Sequence, residues 1–189
     1  MSVRWLTLAL AIVLASGTAR AQSGPMPLFW IKEGGKWGYI DKTGKVVIPP
    51  QFETTYGFVE GVAAARLNGK FGFIDTTGAW VIPPQFDWAY VFADGMAWVR
   101  QDGKFGAIDR TGKLVIPPTF TERPEQFSEG MAAVKVDGKW GYVDRTGTMV
   151  IAPAYGKAAK FNGEVAQVET PAGKHLWIHR SGKVLWTEP

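Results

Sequence analysis

The sequence predicts an all-β chain: tandem three-stranded β-hairpin repeats forming an open β-solenoid-like array, with a compact five-unit propeller-like ring as the alternative. Three observations lead there. One pattern recurs five times, as GKWGYIDKTGKVVIPPQF from Gly35, GKFGFIDTTGAWVIPPQF from Gly69, GKFGAIDRTGKLVIPPTF from Gly103, GKWGYVDRTGTMVIAPAY from Gly138 and a worn GKHLWIHRSGKVLW from Gly173. The starts lie 34, 34, 35 and 35 residues apart, a period that belongs to solenoids and propellers. Each copy also carries turn residues at two fixed places between short apolar runs, the mark of consecutive hairpins. Finally, Pro49-Pro50, Pro83-Pro84 and Pro117-Pro118 recur at one place in the unit, where missing ladder donors are expected to end the third strand and start the connection.

In chain order, residues 1–21 read as a secretory signal. Arg4 gives a positive start, WLTLALAIVLA an apolar stretch too short to span a bilayer, and Ala19-Arg20-Ala21 the small-x-small cleavage pattern. Residues 22–27 are a short linker. Units follow at 28–48, 49–82, 83–116, 117–151 and 152–186, each expected to hold strands a, b and c. In the second unit these are 62–67, 71–75 and 79–82. Asn68-Gly69 joins a to b, and Asp75-Thr76-Thr77-Gly78 joins b to c. In that second turn the Asp carboxylate can accept a turn amide while Gly takes a positive φ. The reading covers Asp41, Asp75, Asp109 and Asp144 alike. Residues 28–33 supply the first strand a and 183–186 the last strand c. The array thus starts and ends on whole units, and the open form is favoured because four-stranded propeller blades typically need about 40–45 residues.

Removing the signal takes away Arg4 and Arg20, so 21 Lys+Arg against 17 Asp+Glu becomes a net charge of about +2. That field is weak for nucleic-acid binding. No later run is long and apolar enough to cross a membrane as a helix, because Gly, Pro and charges interrupt each one. The absence of Cys rules out disulfides and lipidation at a Cys, and with the signal it gives a periplasmic or secreted protein as the expectation.

The repeats resemble a known family. Trp37-Gly38 and Trp140-Gly141, preceded by Gly-Lys and followed by an aromatic, Ile or Val, Asp, x, Thr and Gly, look like the bacterial WG (or KWG) repeat. Phe71-Gly72 and Phe105-Gly106 match its Phe variants, and Phe58-x-Glu60-Gly61 and Phe127-x-Glu129-Gly130 match its preceding motif. The resemblance runs over residues 28–186. It implies a β-rich, non-catalytic binding or scaffolding array of surface or exported proteins. The fifth unit departs from the pattern, with His175, Leu176 and His179 in the Trp, Gly and Asp places, as suits a terminal cap.

Because side chains alternate across a strand, the repeat columns sort the two faces. The row Phe29, Ala63, Ala97, Ala132, Ala166, with Ile31, Ala65, Val99, Val134, Val168, is expected to face the core. The opposite row, Trp30, Ala64, Trp98, Ala133, Gln167, varies in size and polarity as a solvated face permits. Beside it run Lys32, Arg66, Arg100, Lys135 and Glu169. A stripe of Trp30 and Trp98 flanked by Lys32, Arg66, Arg100 and Lys135 is therefore the candidate ligand site, with Trp88 and Tyr90 extending it from a connection. Aromatic faces beside cations suit a sugar ring carrying anionic groups, although packing against neighbours competes as an explanation for every one of these rings.

No catalytic constellation stands out. The Asp row and the row Glu60, Asp94, Glu129 recur at turns instead of converging. His175 and His179 share a strand face but lack the third and fourth ligands of a zinc site. The glycines lie in hairpins, so no phosphate loop appears. No cofactor is expected. The expected function is an exported non-catalytic binding module for a cell-envelope polysaccharide or a protein partner, with a structural scaffold as the alternative and a hydrolase of envelope polymers as a remote one.

Overall fold

The computed structural model describes residues 27–189, which are all β, with no helix among them. The signal and most of the linker lie outside the described residues. The first unit holds β1 (Phe29–Glu33), β2 (Lys36–Ile40) and β3 (Val46–Phe52). The second holds β4 (Thr54–Thr55), β5 (Val62–Leu67), β6 (Lys70–Asp75) and β7 (Trp80–Phe86), and the third β8 (Trp88–Ala89), β9 (Met96–Gln101), β10 (Lys104–Asp109) and β11 (Leu114–Phe120). The fourth holds β12 (Met131–Val136), β13 (Lys139–Asp144) and β14 (Met149–Tyr155), and the fifth β15 (Lys157–Ala158), β16 (Val165–Glu169), β17 (His175–His179) and β18 (Val184–Thr187). Each unit is its own antiparallel sheet with strands paired in chain order, and none closes on itself.

The hairpins form where the turn residues place them. Asn68-Gly69, Asp102-Gly103 and Asp137-Gly138 all have positive φ at both positions, the two-residue turn whose twist matches paired strands. In the turns joining the second and third long strands, Asp75 Oδ1 accepts from the Thr77 amide at 2.8 Å, the Thr77 hydroxyl at 2.6 Å and the Ala79 amide at 3.1 Å. Asp41, Asp109 and Asp144 repeat the arrangement. In the fifth unit His179 takes over, its Nδ1 accepting from the Ser181 amide at 3.2 Å.

Several expectations need correction. The proline pairs do not end the third strand, since β3 and β7 run through them to Phe52 and Phe86. Pairing of Phe71 with Phe86 and of Phe73 with Ile82 leaves Pro83, Pro84 and Gln85 opposite the single Gly72. The prolines thus occupy a bulge, where ladder donors are not required. The glycine of each Trp-Gly or Phe-Gly pair lies beneath it. A Cβ on Gly38 would stand 2.5 Å from the Ile48 oxygen and 2.6 Å from the Pro50 nitrogen, so no other residue fits.

Three of the units also have four strands instead of three, because β4, β8 and β15 add a short strand beside the first long one. Two residues are too few to leave an alternating pattern in sequence. The fourth unit lacks this strand: the bond from the Glu125 amide to Ala133 matches that from Tyr90 to Trp98, which puts Pro124 where the strand would pair.

Consecutive sheets stack face to face, so each inner sheet is covered on both sides. At the first junction Tyr39, Ile48 and Phe52 meet Ala63, Ala65 and Ile74 of the second unit. Ala64, Phe73 and Ile82 then meet Ala97, Val99 and Ile108. Trp98, Ala107 and Ile116 meet Ala132, Val134 and Val143, and Ala133, Tyr142 and Ile151 meet Ala166, Val168 and Ile178. The row of strand a expected to be solvated is therefore core in the inner units, with Ala64 and Ala133 buried. Its mate is core as expected except in the first described sheet, where Phe29 is 50% exposed.

A polar ladder runs alongside these junctions. Glu60, Asp94, Glu129 and Glu164 hold a left-handed φ between 51° and 64°, which costs a residue with a side chain about 1 kcal/mol or more. The first three carboxylates reach the next unit: Glu60 accepts from the Gly95 amide at 3.3 Å, Asp94 from Gly130 at 2.7 Å, and Glu129 from Gly163 at 2.6 Å. An arginine of that next unit approaches each acid. Arg110 pairs with Glu60 at 2.9 Å, Arg145 lies 3.9 Å from Asp94, and Arg180 donates to the Glu129 carbonyl at 3.3 Å.

Candidate functional site

The stacking separates the residues of the expected stripe. Trp30 is 57% exposed on the first sheet, whereas Trp98 is 2% exposed between the third and fourth. Trp98 is a core residue, and its columns show why. Across the first two long strands the pairs are Ala64 with Phe73, Trp98 with Ala107, and Ala133 with Tyr142. The large residue sits on the second strand in two units and on the first in the third unit, so Trp98 fills the space that Ala107 leaves.

It also takes over a polar task. The Tyr39 hydroxyl donates to the Tyr56 carbonyl at 2.7 Å and the Tyr142 hydroxyl to the Ala159 carbonyl at 2.7 Å. Trp98 Nε1 donates to the equivalent carbonyl of the next unit, that of Glu125, at 2.8 Å. Stacking on Phe127 at 5.1 Å completes its surroundings. Burial pushes the Tyr39 phenol up to about 12, the Thr55 hydroxyl bond opposing. It raises Tyr142 as well, with Tyr155 adding to the rise.

The four cations of the stripe serve their own units. Lys32 lies 5.2 Å over the Trp37 ring, Arg66 5.9 Å over Phe71 and Arg100 5.7 Å over Phe105. Lys135 pairs with Glu122 at 3.3 Å. The first three contacts follow from register, since each of those cations is directly opposite its aromatic.

The structure does gather Trp88 and Tyr90, and adds partners the sequence reading missed. Trp88 pairs with Arg100 across β8 and β9, and its ring lies 6.3 Å from that of Tyr90. Tyr56 from the second unit and Arg123, Gln126 and Val91 complete a cleft of about 410 Å³. Arg123 from the fourth unit stacks 4.8 Å over Tyr90, which leaves the guanidinium edge for a further acceptor. Trp88 is 39% exposed and Arg123 is exposed. Burial raises the Tyr56 phenol pKa, Tyr90 adds to the rise and Arg123 opposes it, so its hydroxyl is a neutral donor at physiological pH. The cleft offers aromatic faces, two phenol hydroxyls, one amide and one free guanidinium edge, a set fitted to holding a ligand. Recurrence of Tyr at positions 56 and 90, one period apart, was a sequence signal for it.

The other polar residues have structural work. The Asp row is held at turns, where the Thr77 hydroxyl bond and turn amides keep the Asp75 carboxyl below the usual range against a smaller opposing effect of desolvation. His175 is exposed and His179 serves its turn. No group of three or more His, Cys, Asp or Glu that could hold a metal occurs among the described residues.

Five stacked antiparallel sheets with an aromatic, cationic cleft at their junctions define a β-repeat protein of the binding or scaffold kind. The model of the WG containing repeat matches residues 37–71, 71–105, 105–140 and 140–170, and the chain belongs to this family. The match stops before the worn hairpin of the fifth unit. Comparison with curated proteins gives no match. Among solved structures, the chain is similar to a eukaryotic initiation factor (TM-score 0.59, 14% identity, covering 86% of this chain and 52% of that one). It is similar also to the computationally designed Ika8 protein (0.53, 14%, 85% and 60%) and to Kluyveromyces lactis Hsv2p (0.52, 10%, 82% and 59%). At these identities the likeness is one of fold, to propeller- or repeat-like β proteins. The chain spans between half and three fifths of their length.

Proposed function

We propose that this chain is an exported, non-catalytic binding module that takes a cell-envelope glycan bearing anionic groups. The observation that carries the reading is the cleft of Tyr56, Trp88, Tyr90 and Arg123, where rings at 6.3 Å spacing and a guanidinium stacked at 4.8 Å stand together at the surface. A sugar face lies on an indole or phenol ring, and an acidic substituent accepts from the guanidinium edge. Family membership and the use of the acids in turns and the inter-unit ladder support the non-catalytic part. The signal-like residues 1–21 support export.

The test compares retention of the wild-type protein, Trp88→Ala and Arg123→Ala on peptidoglycan and on acidic and neutral polysaccharides. Both side chains are at the surface, so circular dichroism should be unchanged. Each substitution should weaken retention about tenfold or more, and Arg123→Ala should act only on acidic polymers. Equal retention of all three proteins, or capture of a protein from an envelope extract in place of any glycan, would overturn the reading.

A further inference from the structure

The junctions inside the chain follow one scheme, and the two ends of the array carry its unused halves. At each junction the glycine of the turn between the second and third long strands of one unit sits on an isoleucine of the unit before it. Gly78 lies on Ile48, Gly112 on Ile82, Gly147 on Ile116 and Gly182 on Ile151. Beside each contact of the inner and C-terminal units, the ladder acid of one unit meets the arginine of the next.

At the C-terminal end the outward face presents Trp177 in the Tyr39 place and Trp186 in the Ile48 place, 42% and 48% exposed. Glu164 stands there in the acid column. Its carboxylate has only distant partners in its own unit, His179 at 3.9 Å and Arg180 at 3.8 Å. At the N-terminal end the outward face presents Phe29 and Val46, both about half exposed. A Cβ on Gly44 would have nothing within 4 Å, and exposed Lys42 stands in the column of Arg110, Arg145 and Arg180.

The charges are matched along the chain. Arg110, Arg145 and Arg180 follow Glu60, Asp94 and Glu129. Where the repeat count puts Met26 in the acid column of the first unit, the second unit has Thr76 in the cation column. The charges left over are opposite in sign, Glu164 at one end and Lys42 at the other.

We infer that the outward face of the fifth sheet docks on the outward face of the first sheet of a second copy of this chain. Trp177 and Trp186 cover Phe29, Val46 and Gly44, and Glu164 pairs with Lys42. The contact is heterologous, head to tail, so repetition gives rings or linear chains instead of a symmetric dimer. Phe29 and Trp177 are bulkier than the Ala63 and Tyr39 that meet inside the chain, so copies meet at a wider spacing than units do. Large aromatic anchors flanked by a charge pair make an interface of adequate strength and defined polarity.

Sedimentation equilibrium of the mature chain, residues 22–189, over a wide concentration range tests this. The mass should rise with concentration. Glu164→Lys and Lys42→Glu should each weaken association about tenfold, and the two together in one chain should restore it, because the copies remain complementary. Trp186→Ala should weaken it in either charge background, with circular dichroism unchanged throughout. A monomer at every concentration would overturn the inference. So would association that neither single reversal weakens, or a double reversal that fails to recover.

Discussion

Trp98 and Ala107 act as one packing unit, and a volume swap exposes this. Trp98→Ala should cost about 3–5 kcal/mol in urea unfolding. Adding Ala107→Tyr should recover most of that loss, since the new hydroxyl reaches the Glu125 carbonyl as Tyr142 reaches Ala159. Gly72→Ala should cost about 3 kcal/mol or more, because its Cβ would overlap the backbone of Ile82 and Pro83 with no flexible side chain to yield. Titration acts from both sides. Asp75 and Asp109 are held below the ordinary carboxylate value near 3.8, chiefly by the hydroxyls of Thr77 and Thr111. They add stability above that value and lose it as the pH falls through their folded values, so thermal melting should hold from neutral to about pH 5 and drop below about 4. Tyr39, raised from 10.0 to about 12, adds stability below 10 that is lost as the pH climbs towards 12. Tyr39→Phe should flatten that alkaline limb of thermal melting against pH. The turn aspartates were legible from sequence because their role is local. Trp98 was misread because its row varies; the signal that would have placed it is the lone Ala107 among Tyr39, Phe73 and Tyr142.

Among elements, the first two long strands of each unit and the hairpin between them were readable, since Asn-Gly and Asp-Gly between alternating runs fix a two-residue turn, while the third strand runs through the proline pair expected to end it. The short strands were not. Their hydrogen bonds depend on a neighbouring strand already in place, and only Pro124 breaks the series visibly. The strained ladder acids are the second element-level device, and they turn a local cost into a link between units. Glu129→Ala should lose about 1–2 kcal/mol, since it strands the Gly163 and Glu164 amides that its carboxylate accepts at 2.6 and 2.8 Å. The matching arginines are exposed, so Arg145→Ala should cost no more than about 1 kcal/mol. Measuring both in one unfolding series separates amide capture from ion pairing.

At the scale of the molecule, stability passes from neighbour to neighbour through four junctions, and the end sheets have one partner each where the others have two. Amide hydrogen exchange should therefore be slowest in β5, β6, β9, β10, β12 and β13 and fastest in β1 and β18. The number of units was plain in the sequence because it is a count of repeats. The cleft was only half visible. Trp88 and Tyr90 stood out as aromatics in a connection, but Tyr56 and Arg123 join them from the units on either side, and no pattern within one unit reports which residues of its neighbours come close. The seat of each turn glycine on the preceding isoleucine has a mechanical consequence. A Cβ on Gly78, Gly112 or Gly147 would stand 3.1 to 3.2 Å from that side chain, so a methyl group added there acts as a shim at one side of a joint. One shim tilts everything beyond it, and shims at successive joints add like errors in a stack of wedges. Glycine in that column holds the pitch of the array, and with it the distance across which Tyr56 and Arg123 face one another.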